Sequence, residues 1–253
     1  AFASKKFAVE TDPKVDKILN ELPGANCGAC GYPGCAAYAE AAAKGDAPPN
    51  LCTPGGEKVA EAVSNILGIS NEPSGDPKVA VVCCQGDNDN AIVKFQYQGI
   101  KDCHAAELVG GGHKGCEYGC LGLGSCVKAC PFDALSMGKN GLPIVDEDNC
   151  TACGICVSAC PRGIMQLIPR NQNVYLACVS QDKAKAVKSV CKVGCFACKI
   201  CTTPKVTSTG AISMEGNLPE IKDIYSPDLY AAAEKCPANC YVVRKVSVEK
   251  IEQ

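Results

Sequence analysis

Tryptophan is absent and histidine occurs only twice, so no site built on several imidazoles is available to this chain. Aromatic residues make up 5% of 253, too few for ring packing to organise a large interior. Lys and Arg number 25 against 27 Asp and Glu, a net charge of −2, which leaves no basic excess to attract nucleic acid. No apolar run reaches the roughly 18 to 20 residues of a membrane span, and Ala1-Phe-Ala-Ser-Lys-Lys6 lacks the hydrophobic core of a signal peptide. Phosphate loops, nucleophile elbows and HExxH pairs are missing. Gly110-Gly-Gly-His-Lys-Gly115 matches a dinucleotide fingerprint in its letters, but it follows a helix-like segment rather than a strand and runs into Cys116. No nucleotide site is expected.

What the chain has is cysteine, 22 of them. Cys150-Thr-Ala-Cys-Gly-Ile-Cys-Val-Ser-Ala-Cys160-Pro161 has the C-x2-C-x2-C-x3-C-P spacing by which bacterial ferredoxins hold iron–sulfur clusters, three thiolates on one cubane and the fourth on its neighbour. Cysteines this dense suit convergent thiolates better than a disulfide framework, which would spread them between loops. Cys116-x3-Cys120-x5-Cys126-x3-Cys130-Pro131 supplies the partner set. By the crossing rule, Cys130, Cys150, Cys153 and Cys156 hold one cluster and Cys116, Cys120, Cys126 and Cys160 the other. Cys116 fits least well, and nearby Cys103 competes with it.

Two further sets flank this pair. Cys27-Gly-Ala-Cys30-Gly-Tyr-Pro-Gly-Cys35, completed by Cys52, puts four thiols in one small segment whose glycines let the backbone curl round a cubane. A structural zinc is the alternative there. Cys195-Phe-Ala-Cys198-Lys-Ile-Cys201 has Lys205 where a partner-cluster cysteine would stand, so one cluster is expected, with Cys236 before Pro237 as its fourth ligand. Sixteen cysteines thus serve four 4Fe-4S clusters. Cys83, Cys84, Cys103, Cys178, Cys191 and Cys240 remain, either as small buried apolar side chains or as a fifth cluster or redox pair. His104 and His113 are not needed as ligands.

Along the chain the pattern is α+β: a small helical four-cysteine module followed by two ferredoxin-like modules. Residues 10–70 read as helical, with Asp12 as cap, Pro13 at the first helical position, an alanine-rich segment stopping at Gly45 and a third helix ending at Gly68. Asn71 to Pro77 has linker composition. Residues 78–170 open with the strand-like Lys78-Val-Ala-Val-Val-Cys-Cys84, and a hairpin is expected around Gly138-Lys-Asn-Gly141. Residues 171–253 repeat this plan: Val174 to Cys178 echoes the strand, Cys191-x3-Cys195 echoes Cys116-x3-Cys120, and Ala211–Met214 with Leu218–Ile221 echoes the hairpin. Lysines 183, 185, 188, 192, 199 and 205 crowd one stretch, either a solvated face or a docking patch for an acidic electron carrier.

The first cysteine motif, with Tyr118-Gly-Cys-Leu-Gly-Leu-Gly and Cys126-Val-Lys-Ala-Cys-Pro-Phe-Asp-Ala, resembles the B subunit of Rnf-type ion-translocating ferredoxin:NAD+ oxidoreductases, in the long clostridial form. The resemblance implies a translocase subunit that takes electrons from reduced ferredoxin and relays them to flavin and iron–sulfur partners, coupled to Na+ or H+ movement, with nicotinamide handled elsewhere. It also implies a place on the cytoplasmic face of the membrane, held by an anchor not contained in this chain, of which residues 1–9 would be the flank. A polyferredoxin subunit of a soluble oxidoreductase and a cluster-assembly or redox-sensing protein are the rival readings.

Overall fold

The computed structural model describes residues 12–70 and 75–244. The expected anchor flank, residues 1–9, and part of the expected linker lie outside them. Two compact units divide the chain, one of Ala1–Pro77 with Thr151–Cys153, the other of Lys78–Cys150 with Gly154–Gln253. Among the described residues no helix is long and apolar enough to cross a membrane.

In the first unit three helices pack together: α1 (Pro13–Glu21), α2 (Cys35–Lys44) and α3 (Gly56–Leu67). Asp12 accepts from the Lys14 N–H to cap α1, and α2 and α3 stop at the left-handed glycines 45 and 68. Their apolar faces meet around Ile18, Tyr38, Ala39 and Val63, all fully buried. Alanine at α2 lets the helices approach closely, so a core forms with hardly any aromatic volume.

The second unit is built twice on one plan. Its first half runs β1 (Lys78–Val82), α4 (Cys103–Glu107), α5 (Ser125–Ala129), the hairpin β2–β3 (Leu135–Met137, Pro143–Val145), α6 (Ile155–Ser158) and β4 (Met165–Pro169). The second half runs β5 (Val174–Leu176), α7 (Ala184–Val190), a 3-10 turn (Ile200–Thr202), the hairpin β6–β7 (Ile212–Glu215, Leu218–Ile221), α8 (Asp228–Lys235) and β8 (Tyr241–Val243). In each half the opening strand pairs antiparallel with the closing one, Val79 with Ile168 and Tyr175 with Val242. Alternation along β1 puts Val79, Val81 and Cys83 in one cluster and Ala80 and Val82 in another. The second of these contains Cys126 and Cys156, with Cys130, Cys150 and Cys160 packed against it.

Candidate metal centres

All 22 cysteines lie among the described residues and none is joined in a disulfide. Nor are any three His, Cys, Asp or Glu side chains there arranged to hold a single metal ion. Instead many of the thiols line cavities, as a multi-iron group with one thiolate per corner requires.

In the first unit, Cys52 lies near Cys27, Cys30 and Cys35, although burial is what raises its thiol pKa most. Gly34, at φ +112°, turns the chain into α2, and Asn26 Oδ1 accepts from the Cys35 N–H at 2.9 Å. A Cβ at Gly34 would crowd that oxygen at 3.0 Å, and the positive φ would strain any side chain there.

Three cysteine loops share one backbone design. In Cys120-Leu-Gly-Leu-Gly-Ser-Cys126, Cys150-Thr-Ala-Cys-Gly-Ile-Cys156 and Cys195-Phe-Ala-Cys-Lys-Ile-Cys201, the third and fifth residues are left-handed: Gly122 and Gly124, Ala152 and Gly154, Ala197 and Lys199. For Ala152, Ala197 and Lys199 that conformation costs about 1 kcal/mol or more each. Alternating handedness of this kind turns successive N–H groups into a concave anion cradle. Each Cys-Pro turn matches as well, since the third residue after Cys130, Cys160 and Cys236 is left-handed Asp133, Gly163 or Asn239. Behind two of these turns the N–H four residues on donates to the thiol, Ile164 to Cys160 at 3.4 Å and Cys240 to Cys236 at 3.3 Å. N–H groups aimed at sulfur are the surroundings that tune an iron–sulfur centre.

The loops differ at their middle position, which is Leu123, Cys153 and Cys198 in turn. One cavity is lined by Cys103, Cys120, Cys126 and Cys160. Cys103 is brought there by Ser125: its hydroxyl accepts from the Cys103 N–H at 2.7 Å and donates to Asp102, the cap of α4, at 2.7 Å. The N-termini of α4 and α5 are thereby tied, and Cys103 and Cys126 face the same space. The placement of Cys116 departs from the sequence expectation. It stands beside Cys84 and Cys191 in a different cavity, because the left-handed turn of the 120–126 loop carries Leu123 at the point where Cys116 was expected to fold back.

Burial pushes the Cys120 thiol up to about 12 and the Cys126 thiol to about 11. Thiolates are the ligating form, so four of them in such a pocket call for a strongly positive partner. Another cavity holds Cys195, Cys198, Cys201, Cys236 and Cys240. Hydrogen bonding to Cys240 lowers Cys195 to about 7 and Cys236 to about 6, whereas Cys240 is raised by the same bonds and so keeps the proton. Of the third expected set, Cys130, Cys150 and Cys156 pack on one apolar cluster, the Ala80 N–H donates to Cys150 Sγ at 3.4 Å, and Cys153 lies on the loop before α6.

The cysteine geometry agrees with known families. A family model described as "Putative Fe-S cluster" matches residues 22–54, and one for a 4Fe-4S dicluster domain matches residues 115–164. The B subunit of the proton-translocating ferredoxin:NAD(+) oxidoreductase complex of Clostridium ljungdahlii is 50% identical over 77% of this chain and 69% of its own length. The B subunit of the ion-translocating oxidoreductase complex of Methanosarcina acetivorans is 42% identical over 96% and 90%. Its counterpart in the Na(+)-translocating ferredoxin:NAD(+) oxidoreductase complex of Acetobacterium woodii is 44% identical over 95% and 71%. The chain belongs to this B-subunit family. It carries iron–sulfur clusters.

Cys103 lies outside both matched segments. So does Glu107, which pairs at 2.6 Å with Arg162, a residue that sequence reading passed over. Arg162 follows Cys160-Pro161, and its guanidinium also donates to the carbonyls of Cys116 and Gly119, both at 2.8 Å, and of Gly111. One buried side chain therefore fixes the glycine stretch and the Cys116–Cys120 loop. His113, in that stretch, stacks on Tyr97.

Proposed function

We propose that this chain receives electrons from reduced ferredoxin and relays them through a series of 4Fe-4S clusters to the flavin- and iron–sulfur-bearing subunits of an ion-translocating ferredoxin:NAD+ oxidoreductase, at the cytoplasmic face of the membrane. The observation that carries this is the convergence of four thiols on one cavity and of five on another, in a chain of the B-subunit family. A bound cubane supplies one-electron exchange.

In this reading residues 10–70 hold one cluster on Cys27, Cys30, Cys35 and Cys52. Residues 78–170 form the dicluster module, with Cys103, Cys120, Cys126 and Cys160 on one centre and Cys130, Cys150, Cys153 and Cys156 on the other. Residues 171–253 hold a further cluster on Cys195, Cys198, Cys201 and Cys236. The cysteinates fix each centre in place. N–H groups directed at sulfur raise its potential by stabilising added negative charge.

Cys198 is exposed, as are Lys183, Lys185 and Lys199 near it in sequence. A surface-facing thiolate beside cationic side chains suits transient docking of an acidic carrier, so we assign ferredoxin entry to this end. Anaerobically purified full-length chain, titrated with reduced ferredoxin, is expected to bleach in its visible absorbance as the ferredoxin is oxidised, one electron per cluster. Material without iron and acid-labile sulfide, or with clusters that ferredoxin does not reduce, overturns the proposal.

A further inference from the structure

Five cysteines line a single cavity in the second unit: Cys84, Cys116, Cys178 and Cys191, none of them in the sets placed above, and Cys83 beside Cys84. Cys84 lies close enough to Cys191 and Cys116, and Cys178 close enough to Cys84, for their charges to interact. The backbone is shaped to admit a bulky group beside these sulfurs. A Cβ at Gly86 would stand 3.5 Å from both Cys84 Sγ and Cys191 Sγ, and one at Gly119 would stand 3.5 Å from Cys116 Sγ. Residue 191 is held in place by an antiparallel bridge to Ala91, flanked by the Ile92 N–H on Val190 O and the Lys192 N–H on Asn90 O, both at 2.9 Å.

The four thiols are two equivalent pairs, one from each half of the repeat. Cys84 stands two residues past β1 and Cys178 two residues past β5. Cys116-x3-Cys120 and Cys191-x3-Cys195 are the matching loops, and they are wired alike: the Cys120 N–H donates to Cys84 Sγ at 3.5 Å and the Cys195 N–H to Cys178 Sγ at 3.3 Å. Accidental burial of spare cysteines would not reproduce the same bond in both halves. The contrast with the other leftovers supports this. The Cys83 N–H bonds Ile164 O where the Ala177 N–H bonds Cys240 O in the second half, so Cys83 and Cys240 occupy positions filled by Ala177 and Ile164 in the other half. Cys83 is thus a small buried packing residue, and Cys240 belongs to the neighbouring Cys195–Cys236 cavity.

We propose that Cys84, Cys116, Cys178 and Cys191 bind a fifth 4Fe-4S cluster, placed on the pseudo-symmetry between the two ferredoxin-like halves. Each thiol gives up its proton and forms one S–Fe bond. Because Cys120 and Cys195 each bind a neighbouring centre through sulfur and this one through an N–H, the site joins the dicluster module to the C-terminal centre. A cubane held there would supply one-electron exchange, reduced by one as its donor is oxidised by one.

The inference rests on the cluster-carrying function proposed above, and its test separates the two. Anaerobically reconstituted full-length chain is expected to hold about twenty irons and as many sulfides, four per cubane, and on full reduction about five spins by electron paramagnetic resonance. Cys178→Ser and Cys191→Ser should each lose about four irons and one spin, while Cys83→Ala loses none. Saturation of the unaltered chain near sixteen irons, or stoichiometric zinc in the preparation, overturns the fifth site alone and needs no variant. Absence of iron altogether overturns the parent proposal instead.

Discussion

Arg162→Met tests whether one guanidinium holds two centres in register. The side chain is 3% exposed and gives up its bonds to Glu107 and to three backbone carbonyls. An unmet buried carbonyl costs about 1–3 kcal/mol, and breaking a buried ion pair about 3–5 kcal/mol. Glu107 is 35% exposed and rehydrates, so about 3 kcal/mol is the working figure. Loss of clusters is irreversible, which makes the observable a rate. At about 1.4 kcal/mol per tenfold, opening of the 110–120 segment becomes about a hundredfold more frequent. Anaerobic iron release to a ferrous chelator should therefore become biphasic. About eight irons, those of the Cys120 and Cys84 sites, leave fast, and the rest at the unaltered rate. Arg162→Lys should fall between, since an ammonium cannot reproduce the planar fork. Release at the normal rate refutes the clamp; uniform acceleration of all iron would mean that the side chain supports the whole unit.

Three further outcomes are expected. Cys103→Ser and Cys116→Ser should each remove about four irons, and the double variant about eight; a double variant no worse than either single one would put both cysteines on one centre. Lys183→Glu with Lys185→Glu should slow reduction by ferredoxin about tenfold at low ionic strength and hardly at all at high salt, read by stopped-flow. Lys188 is excluded from that test because it stacks on Phe196 at 4.0 Å. Glu147→Gln strips Arg244 of its bidentate partner, but the carboxylate is 41% exposed, so a cost of only about 1–2 kcal/mol is expected, measured as a shift in the denaturant midpoint of the holoprotein.

Spacing alone carried much of the site, because a C-x2-C-x2-C loop is a local object whose geometry follows from a few residues. The helix caps at Asp12, Gly45 and Gly68 and both hairpins were legible for the same reason. Cys103 was legible only as a competitor of Cys116. It reaches its cavity through a tertiary contact, Ser125 to Asp102, which spacing does not show. Pairing of β1 with β4 and of β5 with β8 was equally out of reach, since short strands far apart in the chain leave no local signal of their partners.

Matching the two halves position by position accounts for the single cluster proposed for the second half. Cys120, Cys126 and Cys160 correspond to Cys195, Cys201 and Cys236, with left-handed residues at the same loop positions and the same N–H to thiol bond behind the last member. Cys198 then takes the place of Cys103. The other centre of the first half needs Cys130 and the 150–156 loop. Cys126-x3-Cys130 becomes Cys201-x3-Lys205, and after the second hairpin α8 stands where the 150–156 loop would be. Both contributions to one centre are replaced together, by an exposed lysine and by a helix whose Leu229 and Ala232 fill the core. Had Lys205 alone changed, three thiolates would be left round an incomplete site; because the loop went with it, apolar packing takes over the volume, which fits the one centre proposed for the C-terminal half.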